Sequence, residues 1–413
     1  MSGGDSGGVR GDWRNLEGVE VSVKDLATKN TKDTKKVWPK VRLGDVCEVR
    51  AGATHHEIVS DTGKYPVYGS GGYICQATTY RCPANTVTIG RKGTLDKPLL
   101  IEEPFWNIDT CFGAIPNEAL DAEYLWRFCQ NFDFYKLIPA IGRPSTNSDA
   151  IKSITIPLPP LSVQRAIVAR LEKELGEADK LAAKFKRVAE LADDAFKAEL
   201  DETFKALEDN SRRDAETRRV SLGDVCKVLT DGDWIESKDQ SETGIRLIQT
   251  GNVGNGVFER KDNRARYISV ATFAKLNCTE IYCGDILISR LPEPVGRACI
   301  VEDVGCRMIT AVDCSIVRFK DTIEPKFFIH YSQSSKYRSQ ISSQLTGTTR
   351  ARISRKHLSS VLIACPPISI QRAIIAKLDA AKERCEKLKA AAMRGLAAAE
   401  NLRKAILAEA FEQ

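Results

Sequence analysis

The sequence predicts an α+β protein in which two mixed α/β domains are separated by two long helices forming an antiparallel coiled coil, with an internal repeat of pseudo-twofold symmetry. Three observations predict it. "PPLSVQRAIVARL" (Pro159 to Leu171) returns as "PPISIQRAIIAKL" (Pro366 to Leu378), with nine of thirteen positions identical. "VRLGDVCEV" (Val41 to Val49) returns as "VSLGDVCKV" (Val220 to Val228). The middles between these anchors differ in length and in almost every residue, so a shared frame carries two unlike inserts.

The elements follow in chain order. Residues 1–37, opening "MSGGDSGGVRGDW", read as a partly disordered tail. The first domain spans 38–158 and the second 215–365; both mix short β-branched runs such as "VTIG", "RLIQTG" and "DILIS" with Gly, Asn, Pro and Thr, the pattern of strands and loops with a few helices. Fainter echoes link them: "VTIGRKG" at Val87 with "ILISRLP" at Ile286, and "NIDTCFGAI" at Asn107 with "AVDCSIVRF" at Ala311. The central helix is placed at 159–214 and the C-terminal helix at 366–413. In the first, Ala178, Leu181, Phe185, Val188, Ala192 and Ala195 alternate steps of four and three; in the second, Leu378, Ala381, Cys385, Leu388, Ala392, Gly395, Ala399, Leu402 and Ile406 do the same. A sustained 3,4 spacing is a coiled-coil seam, narrower than the apolar stripe of a core helix. About 45 residues give each helix a length of roughly 65 to 70 Å. Prolines suit the helix entrance, where a missing N–H costs little, and Ser162 and Ser369 are the expected N-caps. Gln164 and Gln371 continue the seam one step before Ile167 and Ile374, and are expected to fix helix register or to face a docking partner.

Composition narrows the function. At 413 residues the chain is long enough for two or three domains with sizeable cores. No apolar run approaches the roughly 18 to 20 residues of a membrane span and the N-terminus lacks a signal-peptide stretch, so a cytoplasmic protein is expected. Thirteen cysteines are scattered singly without a C-x-x-C pair, beside only four histidines, which reads as reduced, mostly buried thiols with no metal site. Residues 218–360 carry 22 Lys and Arg against 16 Asp and Glu, whereas 38–152 carry 12 against 13. An excess equal to that of the whole chain, +6, therefore sits in the second domain, as a polyanion partner would require; a balanced surface with extra lysine remains the alternative.

At this point the residues carry a family resemblance. "ITIPLPPLSVQRAIVARL" (Ile154 to Leu171) and "VLIACPPISIQRAIIAKL" (Val361 to Leu378) resemble the segments that end each target recognition domain and begin each conserved helix in the specificity subunit of type I restriction-modification systems. In the second half, "LGDVC" followed by "DGDWIESKDQ", "GIRLIQTGNVGNGVF" and "GTTRARIS" is similar to that domain's opening strand, recognition loops and closing turn; in the first half "AGATHHE" and "YPVYGSGGYI" replace the "GDW" loop. The resemblance covers residues 38–413. It implies a DNA-binding subunit that chooses an asymmetric, bipartite sequence in double-stranded DNA and docks two modification subunits, which methylate adenine from S-adenosylmethionine. Restriction subunits with ATP and Mg complete the complex, this chain holds no cofactor, metal or catalytic residue of its own, and no membrane is involved.

Two other classes are open on the residues alone. A DNA-acting enzyme would need its own chemistry, but no N-P-P-Y or D-P-P-Y motif and no Walker A loop occurs, and "GNVGNG" (Gly251 to Gly256) has the wrong glycine spacing for a nucleotide fold. Glu236 and Lys238 after Asp233 suggest a nuclease cluster without a companion acid, and His55 with His56 lack a partner to activate. A coiled-coil scaffold without DNA is allowed by the helices but leaves two unlike β-rich domains unexplained. For a DNA reader, Arg suits guanine and Asn or Gln adenine, while Lys, Ser, Thr and backbone N–H groups hold phosphates. On that basis the expected contacts are Thr54, His55, Ser70, Tyr73, Arg91, Lys92, Arg143, Ser145, Thr146 and Asn147 in the first domain. In the second they are Asp233, Trp234, Lys238, Gln249, Thr250, Asn252, Arg290, Thr346, Thr348, Thr349, Arg350 and Arg352.

Overall fold

The computed structural model describes residues 38–138, 145–211, 217–347 and 350–411; the tail at 1–37 lies outside them. The chain divides into two compact units, one taking the chain up to Arg187 and again from Ala392, the other running Val188–Ala391. Both long helices therefore contribute to both units.

The first unit contains β1 (Lys40–Arg42), α1 (Leu43–Val46), β2 (Cys47–Ala51), β3 (Tyr65–Gly69), β4 (Gly72–Ala77), β5 (Thr86–Gly90), β6 (Leu99–Ile101), β7 (Trp106–Asn107), β8 (Cys111–Pro116), α2 (Ala122–Asn131), α3 (Ser148–Lys152) and β9 (Thr155–Pro157). After these comes the start of the central helix α4 (Leu161–Ser211). Its main sheet is antiparallel in the order β2-β8-β5-β6, and β4-β3-β7 forms a second, smaller sheet. Strand β5, "TVTIG", is buried at all five positions, as a strand covered on both faces must be.

In the second unit, β10 (Arg218–Ser221), β11 (Cys226–Asp231), β12 (Gln240–Ser241), β13 (Ile245–Ile248), β14 (Arg266–Ile268), α5 (Val270–Leu276), β15 (Glu280–Ile281), β16 (Ile286–Ser289), β17 (Ala298–Ile300), β18 (Met308–Thr310) and β19 (Cys314–Phe319) come first. Helices α6 (Pro325–Gln333), α7 (Ser335–Ser342) and α8 (Arg355–Ser359), β20 (Leu362–Cys365) and the C-terminal helix α9 (Ile368–Phe411) follow. The order β11-β19-β16-β17 repeats that of the first unit, and the small ladder β10-β20 repeats β1-β9. The register confirms the faint echoes: Gly90 lies opposite Cys111 as Ser289 lies opposite Cys314. What differs is the insert, a three-stranded sheet in the first unit and the five-stranded β12-β14-β13-β18-β15 in the second.

The helices are 51 and 44 residues long. Every seam position named above is buried or half-buried. Pairing is antiparallel within each unit. In the first, Asp179 meets Arg403 (3.3 Å) and a Cβ added to Gly395 would lie 2.3 Å from the Phe185 ring, so that ring occupies the space only glycine leaves. In the second, Asp193 meets Lys389 (2.6 Å) and Glu199 meets Lys377 (2.7 Å). The end of each helix also closes the unit begun by the other. Phe204, near the end of α4, packs edge-on against Phe327 and Tyr331 of α6 at 5.5 and 5.3 Å. Phe411, at the end of α9, packs against Tyr124 and Phe128 of α2 at 5.2 and 5.6 Å.

Two expectations about the helix starts need correction. Ser162 and Ser369 are not N-caps: the carbonyls of Pro160 and Pro367 accept the first backbone bonds, from Val163 and Gln164 and from Ile370 and Gln371. Proline suits this place because it has no N–H to leave unsatisfied. Gln164 and Gln371 lie neither on the seam between the helices nor on the surface. Both are fully buried and bonded into their own unit, because the helix begins by passing over the N-terminus of α2 or α6.

All thirteen cysteines are free. Burial pushes the thiols of Cys47 and Cys111 up to about 12, where they stay protonated and act as small apolar groups. Among the described residues no helix is long and apolar enough to cross a membrane.

Candidate nucleic-acid interface

The second unit draws most of its expected contact residues together through one buried arginine. Arg290 follows β16 and its side chain is enclosed. Its Nη1 pairs with Asp231 Oδ2 at 2.7 Å and donates to the Val312 carbonyl at 3.4 Å, and its Nε donates to the Ile353 carbonyl at 3.0 Å. Its backbone N–H donates to Asp313 and its carbonyl accepts from Ile353. Ser315 Oγ donates to the other oxygen of Asp231 (3.0 Å), and Arg352 pairs with Asp313 (3.1 Å). Three segments far apart in the chain are thereby joined: the loop after β11 with Asp233 and Trp234, the β18–β19 turn, and the strip from Thr346 to Arg352. The Gln249–Asn252 turn adjoins them, since Ala311 N–H donates to the Ile248 carbonyl. Arg290, expected as a DNA contact, thus also anchors the surface that carries the others, with its Nε and Nη1 donors committed inside the fold.

A second buried arginine, which sequence reasoning missed, supports the neighbouring turn. Arg297 donates from Nε to Val253 (2.5 Å), from Nη1 to Leu291 (2.9 Å) and Pro294 (3.1 Å), and from Nη2 to Thr250 (2.7 Å), all carbonyls. Burial pulls its pKa down, but guanidinium remains charged, and among the described residues it has no carboxylate partner. A positive charge therefore lies behind the turn at Thr250.

The remaining side chains differ in availability. Trp234 is 70 % exposed, with its indole N–H 3.3 Å from Glu236 Oε1. Lys238 is exposed but paired with Glu236 at 2.7 Å. Asp233 is half-buried, accepts from the Thr279 N–H (2.9 Å), and burial raises its pKa. Asn252 is committed to its turn, accepting from Gln249 N–H and donating to Glu259 and Arg260 carbonyls. Thr346 Oγ1 donates to the Arg352 carbonyl, and Arg350 is exposed. Thr348 and Thr349 lie outside the described residues. Sequence reasoning also passed over Lys261, Arg264 and Arg266, exposed cations with no ion pair among the described residues; Lys261 Nζ lies 3.7 Å from where a Cβ on Gly251 would sit, beside the Thr250 turn.

In the first unit Ser70, Arg91, Lys92, Ser145 and Thr146 come together around Thr110. Ser70 N–H donates to Thr110 Oγ1, Arg91 and Lys92 N–H groups donate to its carbonyl, and Thr146 N–H donates to the Arg91 carbonyl. Lys92 bridges to Ser145 and pairs with Asp109 at 3.5 Å. Arg91 holds the place of Arg290 with other chemistry. Ala51 stands where Asp231 stands and Phe112 where Ser315 stands, so the Arg91 guanidinium lies over the Phe112 ring at 5.8 Å. Thr146 is buried and its hydroxyl has no partner among the described residues, and Asn147 caps α3 by accepting from Ala150 N–H. Tyr73 is 56 % exposed on the β3–β4 hairpin. Thr54 and His55 sit apart, in the loop after β2, where the His55 and His56 rings stack at 4.8 Å. Arg143 lies outside the described residues.

Among the described residues no three His, Cys, Asp or Glu side chains are grouped to hold a metal. The arrangement is one of exposed loops on a braced frame.

Comparison with known proteins identifies the family. The family described as "Type I restriction modification DNA specificity domain" matches residues 35–183 and again 215–392. The chain is 23 % identical over 285 residues to the type I restriction enzyme EcoBI specificity subunit of Escherichia coli, covering 64 % of this chain and 59 % of that protein. It is 23 % identical over 344 residues to the EcoKI specificity subunit of Escherichia coli (strain K12), covering 78 % and 72 %. The chain thus spans less than two thirds of the length of the first relative. Its fold is similar, at TM-score 0.71 and 20 % identity over 92 % of this chain and 98 % of the other, to a structure solved to explain complex assembly and conformational transition of the type I R-M system. The crystal structure of the HsdS subunit from Thermoanaerobacter tengcongensis is similar at TM-score 0.57 and 20 % identity, over 93 % of this chain and 99 % of that one. With two matches that together span most of its length and each cover one copy of the frame, the chain belongs to the type I restriction modification DNA specificity domain family.

Proposed function

We propose that this chain is the sequence-reading, non-catalytic subunit of a type I restriction-modification complex, each unit reading one half of an asymmetric bipartite DNA target. The observation that carries the reading is the same frame built twice with unlike inserts. A frame repeated for stability alone would not need a three-stranded insert in one copy and a five-stranded insert in the other. In this reading the long helices space the two readers and dock two adenine-methylating subunits, which bring S-adenosylmethionine, while restriction subunits bring ATP and Mg. Methylome sequencing of a host carrying the complete system tests it: a two-part N6-methyladenine motif with an unread gap is expected, and a continuous motif contradicts it.

The charge of the second unit gives a further expected outcome. Lys261, Arg264 and Arg350 are exposed and unpaired among the described residues, whereas Lys238 and Arg352 already face Glu236 and Asp313. Neutralising Lys261, Arg264 and Arg350 together should weaken binding to every duplex and flatten the salt dependence by up to about 0.9 log unit for each phosphate that is no longer neutralised. Neutralising Lys238 should flatten it less. Titrations at several salt concentrations decide it, and an unchanged slope shows that the three cations do not hold phosphates.

A further inference from the structure

The repeated line contains one side chain whose surroundings are the same in both units. In the first, Gln164 Oε1 accepts from the Asp121 N–H (2.8 Å), and its Nε2 donates to the carbonyls of Ala119 (2.9 Å) and Pro159 (2.8 Å). In the second, Gln371 Oε1 accepts from the Glu324 N–H (2.9 Å), and its Nε2 donates to the carbonyls of Thr322 (2.8 Å) and Pro366 (2.8 Å). The next residue adds a charged contact to the same place: Arg165 reaches Asp121 Oδ2 at 3.5 Å and Arg372 reaches Glu324 Oε1 at 2.7 Å. Asp121 and Glu324 are the N-cap residues of α2 and α6. Pro159 and Pro366 lie where the chain leaves the last strand and enters the long helix.

One planar amide thus ties three segments: the exit of the domain's last strand, the entry to its short helix and the first turn of its long helix. Otherwise helix and domain share an apolar core, which includes Leu171 and Tyr124 in one copy and Leu378 and Phe327 in the other. Apolar burial is non-directional, so it holds a domain against a helix without fixing its rotation. Hydrogen bonds to both ends of a buried carboxamide are directional and are lost on a small rotation. The residues also survive in both copies although the inserts have diverged, so their partners belong to the frame and not to the reading surface.

We propose that Gln164 and Gln371 are positioning residues, each latching its recognition domain at one orientation on its long helix and so setting the gap at which the two half-sites are read. The proposal rests on the two-reader function above. It requires that loosening a latch blur the spacing while leaving base choice intact, which a merely structural residue would not do.

The test uses the full chain assembled with its modification subunits. Methylation rates are measured on duplexes carrying the wild-type motif with its gap shortened by one base pair, unchanged, or lengthened by one, and on duplexes with single base changes in each half-site. Gln164→Met and Gln371→Met keep the side-chain length and remove the amide. Each should reduce the preference for the natural gap at least tenfold, while the penalty for a wrong base in either half-site stays within twofold of the wild type. Where a Met variant does not assemble, Gln164→Glu or Gln371→Glu carries the same test, since it keeps the acceptor and turns the donor toward the two carbonyls into a carboxylate oxygen. An unchanged gap preference, or gap preference and base choice falling together, overturns the latch. A continuous motif for the wild-type complex overturns the two-reader function and the latch with it, whereas a bipartite wild-type motif with unmoved variants overturns the latch alone.

Discussion

Replacing Arg290 by Met should destabilise the second unit by about 3 kcal/mol, the low end for a buried ion pair, because the Asp231 charge it leaves behind keeps some contact with water. The charge left behind is Asp231, half-buried and keeping its bond from Ser315, and the Val312 and Ile353 carbonyls lose their donor as well. Against a typical domain stability of about 5–15 kcal/mol this is a large fraction. The matched change Arg91→Met in the first unit should cost about 1 kcal/mol or less, since Arg91 has a ring contact with Phe112 and, among the described residues, no carboxylate to strand. Removing both partners, as in Arg290→Met with Asp231→Asn, should recover part of the loss, because no buried charge then remains unpaired. Hydrogen exchange resolved by peptide reads the units separately. Faster exchange in β11, β16 and the 350–359 strip, with the first unit unchanged, is expected of Arg290→Met. Equal protection in the Arg290 and Arg91 variants would show that the buried pair is not the anchor.

Phe204→Ala and Phe411→Ala should each cost about 3–5 kcal/mol, in the unit where the ring is buried. Phe204 is 2 % exposed against Phe327 and Tyr331; Phe411 is 6 % exposed against Tyr124 and Phe128. The location of the damage is the more telling part. Phe204 lies on the helix that opens from the first domain and yet should destabilise the second unit, while Phe411 lies at the far end of the chain and should destabilise the first. Peptide-resolved exchange under increasing urea checks this, and a loss confined to the helix carrying the substitution would contradict the exchanged packing.

Much of this frame is legible in the sequence because it rests on local and periodic signals. The 3,4 spacing from Ala178 to Ala195 and from Leu378 to Ile406 depends only on the helix repeat, and the strands "VTIG" and "DILIS" announce themselves by β-branched residues. Residues whose role depends on a distant partner were not legible. Arg290 follows a strand as Arg91 does, and nothing near it in the chain shows that Asp231 will stand beside it while Ala51 stands beside Arg91. Gln164 fits the seam spacing, yet its partners are backbone groups at Ala119 and Asp121, which have no signature in side-chain pattern. Ser162 and Ser369 failed as caps for a related reason: the prolines before them already satisfy the helix start. Lys261 and Arg264 gave only a charge count, since their lack of an ion pair among the described residues depends on Asp262 being turned toward Arg246 and Arg260.

The central claim is that two independent readers share one frame, and exchanging one reader tests it most directly. Residues 218–360 are replaced by the matching segment of a related subunit that reads another sequence, with both helices and the latch residues Gln164 and Gln371 retained. The methylome of a host carrying the exchanged chain and its modification subunits is then sequenced. One half of the methylated motif should change to that of the donor, while the other half and the length of the gap remain as in the wild type. If both halves change, or if neither does while methylation persists, the two units do not read separately and the claim is contradicted.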